Sequence, residues 1–141
     1  MLKLLNLDKQ VRKSYVKSIE KHLKNYKYYL KAIVNIEKQF TKFPSNEFSN
    51  NSLPQELSNN ESMQSIKNEL NLLKFITENI DDALEELNDV ELQYIECRYF
   101  KKWSINKSAL EMGYSDKALF TIRNQLMEKL LILLGSIVLF E

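Results

Sequence analysis

Seven side chains between positions 115 and 125 are of types that can contact nucleic-acid bases and phosphates. On a helix beginning at Ser115, the outward face would carry Ser115, Asp116, Lys117, Phe120, Thr121, Asn124 and Gln125. Asparagine can pair bidentately with adenine, threonine can touch the thymine methyl group, and lysine can reach guanine or a phosphate. Leu119, Ile122 and Leu126 occupy the opposite face. We therefore predict a helix that packs on one side and contacts bases with the other.

The residues before this helix have the spacing of a helix-turn-helix. Ala109, a small residue, precedes Gly113 by four positions, where two helices must approach closely. Gly113 can adopt the positive φ of a tight turn without a Cβ clash, and Ser115 can cap the next helix through its hydroxyl. This combination is typical of the module that places a recognition helix in the DNA major groove. The alternative is an αα-corner with no nucleic-acid role.

Four residues at the start of the preceding helix are candidate phosphate contacts. They are Lys101, Lys102, Ser104 and Lys107. The lysines supply charge, and backbone N–H groups at a helix start can hold a phosphate oxygen. For the lysines, the alternative is a solvated helix face. Ser104 is also predicted to cap a short helix over 105–112.

A wider pattern in residues 87–135 resembles region 4 of the σ70 family and the σ-region-4-like phage regulators of the ArpU and RinA type. The matching residues are Leu87, Asn88, Glu91, Ile95, Arg98–Phe100, Ser108–Leu110, Met112–Ser115, Leu119, Ile122, Arg123 and Leu126–Leu130. The resemblance implies a transcriptional regulator, an activator of phage or mobile-element genes. The chain departs from the σ pattern at Asp116 and Phe120, where basic or polar residues are common. Residues 1–87 show no likeness to σ region 2, which disfavours a complete promoter-melting σ factor.

The whole chain is predicted to be all-α. Only two glycines and two prolines occur in 141 residues, and no alternating strand pattern is present. The predicted parts are a basic long helix in 1–42, a Ser/Asn/Pro linker in 43–64, an acidic helix in 65–87, a helix-turn-helix domain in 88–135 and an apolar tail in 136–141. The acidic helix is expected to pair with the first as a hairpin, either within one chain or across a dimer, because both have apolar residues at steps of three and four.

Capping signals predict where several helices begin and end. Asp8 is the expected N-cap of the first helix, and Asn88 with Glu91 has the spacing of a capping box. Gly135 is the expected C-cap of the last helix.

Charge is strongly segregated along the chain although the net charge is +1. Residues 1–42 hold 11 Lys or Arg against 3 Asp or Glu, whereas residues 43–87 hold 2 against 9. Two explanations remain open: the basic helix pairs with the acidic stretch, or some of its lysines contact a polyanion. We favour the first.

Several functional classes are disfavoured by composition. One cysteine and one histidine leave no expected metal site, and no cofactor-binding loop or nucleophile–base pair is recognisable, so an enzyme is not expected. No secretory signal or membrane-length apolar run is present, which favours a cytoplasmic location.

Two functional hypotheses follow, from different classes. The first is a sequence-specific regulator that binds double-stranded DNA, acting as a homodimer. The second is a σ-like docking adaptor that binds RNA polymerase or another regulator rather than DNA, with Phe120 as an anchor.

Overall fold

The structure, a computed structural model, describes residues 8–42 and 61–139, and every element in them is helical. The elements are α1 (Lys9–Lys42), α2 (Glu61–Glu85), α3 (Asp89–Ile95), a π-helical segment (Glu96–Phe100), α4 (Ile105–Met112), α5 (Asp116–Leu133) and a 3₁₀ turn (Ile137–Leu139). The predicted all-α class is confirmed at this level. The π-helical segment has no counterpart in the sequence patterns.

Helix α1 begins where its capping residue predicted. The Asp8 carboxylate accepts hydrogen bonds from the backbone N–H groups of Gln10, at 2.8 Å, and Val11, at 3.0 Å. These bonds satisfy two of the four amides that an α-helix leaves unpaired at its start. The helix then continues to Lys42, the predicted end.

Helix α2 begins earlier than the apolar pattern indicated. Glu61 is its first residue, so residues 61–64 are helical rather than part of the predicted 43–64 linker. The side-chain amide of Gln64 donates to Asn68 Oδ1 at 3.0 Å, one turn further along. Polar residues extend the helix here without apolar periodicity, which explains why the pattern missed this turn. The remainder of the linker, 43–60, lies outside the described residues.

The chain divides into two compact units. The first comprises the described parts of Met1–Lys27 and Glu78–Glu141, and the second comprises those of Tyr28–Thr77. In the first unit the Tyr26 hydroxyl donates a hydrogen bond to the Asp81 carboxylate, which joins α1 to α2. In the second unit Lys74 Nζ lies 3.0 Å from Glu37 Oε2, another contact between the same two helices.

The core of the first unit is built from all of its helices. Its fully buried side chains include Ile19, Ile80, Tyr94, Ile95, Tyr99, Leu119, Leu126, Leu130, Leu131, Leu134 and Ile137. Helices α3, α4 and α5 all pack on one another, so α3 supports the α4–α5 pair of the predicted helix-turn-helix. This packing determines which side of α5 remains exposed.

The end of α5 differs from its predicted form. The capping position is Leu134, with φ −113°, and Gly113 is the one glycine with positive φ among the described residues. The predicted C-cap at Gly135 is therefore wrong. Gly135 instead lies in a turn that leads into the 3₁₀ segment, where Ile137 and Val138 are buried in the core. Burial of those two side chains takes the place of a glycine cap in ending the helix. Residues 140 and 141 of the predicted tail lie outside the described residues.

Candidate nucleic-acid interface

The connection between α4 and α5 is a tight left-handed turn with a capped helix on each side. Gly113 has φ 77° and ψ 28°, and the Tyr114 amide donates to the Ala109 carbonyl at 2.9 Å. Ser104 Oγ accepts from the Lys107 amide at 3.1 Å, and Ser115 Oγ accepts from the Ala118 amide at 3.0 Å. Both hydroxyl caps are as predicted. Because these bonds span only a few residues, local sequence determines them.

The two sides of α5 differ sharply in exposure. Leu119 and Leu126 are 0% exposed, and Ile122 is half-buried. The seven predicted base-contacting residues are all exposed: Ser115, Asp116, Lys117, Phe120, Thr121, Asn124 and Gln125. Phe120 is 59% exposed, an unusual position for a phenyl ring on a helix that otherwise buries its large apolar residues. This exposed side of α5, residues 115–125, is hereafter the α5 face.

Three residues of the α5 face already have local hydrogen-bonding roles or positions. The Ser115 hydroxyl is used as the helix cap, and Thr121 Oγ1 donates to the Lys117 carbonyl at 3.3 Å. A hydroxyl has two further acceptor lone pairs, so Thr121 can still accept a hydrogen bond from a ligand. Asp116 lies in the first turn, where its carboxylate stabilises the helix dipole. Lys117, Asn124 and Gln125 keep their full polar capacity.

The predicted phosphate contacts surround an indole that sequence reasoning overlooked. Lys101 Nζ and Lys107 Nζ each lie 4.5 Å from the centre of the Trp103 ring. An ammonium group over an aromatic face is attracted to the ring's negative quadrupole. The indole therefore holds two cations near the start of α4 in a defined place. The sequence signal was available: a tryptophan with lysines two positions before and four after it.

Arg98 fixes the backbone that presents this cluster. Its guanidinium donates to the Trp103 carbonyl at 2.6 Å, and the Trp103 amide donates to the Cys97 carbonyl at 2.8 Å. Between them, Lys102 adopts φ 59°, a left-handed conformation that a non-glycine residue seldom takes. Lys101, Lys102, Ser104 and Lys107 are all exposed. We call Arg98, Lys101, Lys102, Trp103 and Lys107 the Trp103 cluster.

A half-buried carboxylate, that of Glu20, links α1 to α5. Glu20 Oε2 accepts from the Tyr99 hydroxyl at 2.6 Å, and Glu20 Oε1 lies 3.3 Å from Arg123 Nη2. Burial, followed by the nearby Tyr94 and Glu20, raises the pKa of Tyr99 above its usual range, so its hydroxyl stays protonated and donates. The arrangement positions α5 from its inner side. No sequence pattern pointed to Glu20.

Two further ion pairs anchor the C-terminal half of α5. Arg12 of α1 is paired with Glu128. Lys129 Nζ lies 2.9 Å from Glu91 Oε1, and the same oxygen accepts from the Asn88 amide at 3.0 Å in the predicted capping box. Glu91 therefore both caps α3 and holds α5. Together with the Glu20 link, these contacts make α5 a well-supported helix whose free side is the α5 face.

Comparison with known proteins yields no match: no protein-family model, curated protein or solved structure matches this chain. The likeness of residues 87–135 to σ region 4 therefore stays a prediction from the residues themselves.

Two kinds of feature are absent from residues 8–42 and 61–139. None of their helices combines the length and apolarity needed to cross a membrane. No three His, Cys, Asp or Glu side chains in those ranges are grouped closely enough to hold a metal ion.

Proposed function

We propose that the protein is a sequence-specific regulator that binds double-stranded DNA, with α5 as its recognition helix. The observation that carries the proposal is the α5 face: Lys117, Thr121 and Asn124 are exposed on a helix that follows a left-handed glycine turn and whose opposite side is buried. Recognition helices in this module contact base edges with residues near their N-terminus. The same three residue types supply the donors, acceptors and methyl groups that distinguish base pairs in the major groove.

The Trp103 cluster supports the same proposal through charge. Phosphate contacts position a protein on the duplex without reading its sequence. Lys101 and Lys107, held over the indole, would neutralise phosphates beside the groove that α5 enters. The α4–α5 module has little net charge. The fixed cations at its edge would therefore supply much of its electrostatic affinity for DNA.

The biological role rests on the resemblance alone. The likeness of residues 87–135 to σ-region-4-like phage regulators implies an activator of phage or mobile-element genes. Such a regulator acts in the cytoplasm, where it meets DNA and RNA polymerase.

Selection from a random duplex library, followed by fluorescence anisotropy on the selected sequence, tests the proposal. Lys117→Ala and Asn124→Ala should each weaken binding by about 1–3 kcal/mol, roughly 5- to 150-fold, and relax base preference at one position. Lys38→Ala and Gln93→Ala are matched controls, since both side chains are exposed and lie off the α5 face. If both α5 variants bind as tightly as wild type, α5 is not the reading helix. Failure to enrich any duplex would overturn the proposal as a whole.

A docking adaptor is the second candidate, and exposed apolar side chains favour it. Leu110 is 80% exposed on α4, and Tyr114 and Phe120 follow it on the same module. Large exposed apolar side chains often mark protein interfaces. Binding to RNA polymerase or another regulator through these residues should be insensitive to salt, whereas DNA binding should weaken steeply with it. Polymerase binding that persists at high salt, is lost in a Leu110→Asp variant and is not accompanied by binding to any duplex would support this function.

We further propose that α1 and α2 form a hairpin and that the protein is a homodimer. The Glu37–Lys74 and Tyr26–Asp81 contacts each join these two helices. In the second unit Leu30, Val34 and Phe75 remain exposed, which supplies apolar surface for another copy. Light scattering should give the mass of two chains for wild type and of one chain for a Leu30→Ser/Val34→Ser variant. A monomeric wild type would overturn the dimer.

A further inference from the structure

A cationic groove lies between the first turns of α1 and the C-terminal half of α5. It encloses about 970 Å³, and all of its lining residues belong to the first unit. Five cationic side chains line it: Lys9, Arg12, Lys13, Lys17 and Arg123. The only carboxylates in its lining are Glu20 and Glu128. The groove therefore carries an excess of positive charge, most of it on α1 and outside the α5 face.

Both carboxylates of the groove are already occupied. Glu128 is paired with Arg12, and Glu20 is held by the Tyr99 hydroxyl at 2.6 Å and by Arg123 at 3.3 Å. No acidic group in the described residues forms an ion pair with the three lysines of the lining: Lys9, Lys13 and Lys17. The groove therefore presents three exposed ammonium groups to solvent.

None of the carboxylates that the structure describes in the acidic stretch forms an ion pair with these three lysines. Within the first unit, no lysine of α1 forms an ion pair with any carboxylate of residues 78–87. Asp81 accepts its hydrogen bond from Tyr26, a neutral group. Lys27, the last lysine of α1 in this unit, lies 5.4 Å from the centre of the Phe100 ring. These lysines therefore remain available to the other partner that charge segregation suggested, a polyanion.

The groove continues the α5 face. Positions 117, 121, 124 and 128 follow steps of four and three, so they share one side of the helix. Asn124 belongs both to this line and to the lining of the groove. Lys9, Lys13 and Lys17 recur every four residues along α1 and span ~12 Å of helix. A duplex lying on the α5 face would thus run towards a row of lysines on a second helix.

We propose that this groove binds the phosphodiester backbone of the same duplex that α5 reads, with Lys9, Lys13 and Lys17 as its phosphate contacts. The inference rests on the proposed function and adds a second DNA-contacting element. Arg12 and Glu20 serve as positioning residues, since they join α1 to α5 and set the distance between the two surfaces. The basic N-terminal helix thereby supplies the charge that the nearly neutral α4–α5 module lacks.

A triple Lys9→Gln/Lys13→Gln/Lys17→Gln variant of the full chain tests the groove. Glutamine keeps helix propensity and removes only charge, so the variant should retain the far-ultraviolet circular dichroism of wild type. We expect its affinity for the selected duplex to fall by roughly two orders of magnitude at ~0.1 M KCl. The slope of log Kd against log [KCl] should flatten by about 2.7, because each lost phosphate contact removes about 0.9.

The matched control removes three other lysines of the same helix. Lys24→Gln/Lys31→Gln/Lys38→Gln makes the same change in net charge at exposed positions outside the groove lining. We expect the control to keep the wild-type salt slope. An equal loss in both triple variants would mean that only net charge matters, which overturns the groove as a site. Unchanged or tighter binding by the groove variant would overturn it too, the latter by showing that α1 obstructs DNA.

Ethylation interference separates failure of the groove from failure of the proposed function. With wild type, ethylated phosphates beside the sequence read by α5 should block binding, and with the groove variant those same phosphates should cease to matter. If wild type and groove variant give identical interference while Asn124→Ala still weakens binding, the regulator function stands and the groove falls. If wild type binds no duplex, both proposals fall.

Discussion

The two compact units differ in how completely they bury their apolar side chains. In the first unit Leu23, Ile80 and Leu126 are 1%, 0% and 0% exposed. In the second unit the buried residues are Leu73, Ile76 and Thr77, at 9%, 4% and 4% exposed. The first unit contains side chains from every helix that the structure describes, whereas the described part of the second contains only segments of α1 and α2.

The number of helices in each unit explains this difference in burial. Two helices bury one seam between them and leave their remaining apolar residues in water, as Leu30 and Val34 are here. A third layer is needed to enclose a side chain completely. In the described residues, the first unit encloses its side chains in this way, and α5 belongs to that unit.

The largest expected loss of stability comes from a substitution in the core of the first unit. Leu126→Ala should lower the free energy of unfolding by about 2–5 kcal/mol, because it leaves a cavity among fully buried side chains. Leu70→Ala in the second unit should cost less, about 1–2 kcal/mol, since that side chain is only half-buried. Urea unfolding followed by circular dichroism measures both. Equal losses would show that the two units do not differ in packing.

A smaller effect is expected at the half-buried Glu20 link between α1 and α5. Tyr99→Phe removes the hydroxyl that donates to Glu20, which should cost about 1.5–3 kcal/mol because the acceptor is charged. Tyr28→Phe, at an exposed tyrosine of the second unit, should change stability by no more than about 0.5 kcal/mol. Urea unfolding again provides the measurement. A Tyr99→Phe variant as stable as wild type would mean that the hydroxyl does not hold α1 to α5.

The turn before α5 allows the cost of backbone conformation to be measured without a change in packing. Gly113→Ala should cost about 1–2 kcal/mol through the positive φ alone, because a Cβ there would meet no atom within 4 Å. Gly113→Asn should cost less, since asparagine tolerates the left-handed conformation. Thermal unfolding at a fixed protein concentration checks the order. Equal melting temperatures for the two variants would point to a steric cause instead.

The smallest effect concerns alkaline pH. Burial, aided by the hydrogen bond to Asp81, raises the pKa of Tyr26 to about 12 from 10.0. The folded state therefore favours the protonated hydroxyl, and its stabilising contribution is complete below pH 10 and declines as the pH rises towards 12. Tyr26→Phe should show a shallower loss of stability over this range. Identical losses for wild type and Tyr26→Phe would rule out a titrating Tyr26–Asp81 bond.

Much of the helix-turn-helix segment was predictable because its signals are local. Asn88 with Glu91, Ser104 and Ser115 form the expected caps, and Gly113 adopts the expected positive φ. The exposed side of α5 also followed from spacing, since a helix that buries Leu119 and Leu126 on one side turns Phe120, Thr121, Asn124 and Gln125 to the other. The Gly135 cap failed because burial of Ile137 competes with it, and burial depends on the rest of the core.

The candidate site was predictable only in part, for a related reason. Lys101 and Lys107 were foreseen as cations but not as partners of the Trp103 ring, because that geometry depends on the left-handed Lys102 and on Arg98. The lysines of α1 were foreseen as basic, but no sequence pattern showed that Lys9, Lys13 and Lys17 would line a groove beside α5. Charge segregation in a sequence shows that a partner is needed without showing which.

Three features could be predicted from the sequence alone: the all-helical class, the capped starts of α1, α3, α4 and α5, and the order of side chains on the α5 face. Each of these depends on groups within about one helical turn, so neighbouring residues suffice to specify it. Only the tertiary structure decided that Glu20 joins Tyr99 to Arg123, that Arg12 reaches Glu128, and that a row of lysines borders Asn124. Those contacts join residues far apart in the chain, and their partners are selected by how the helices pack.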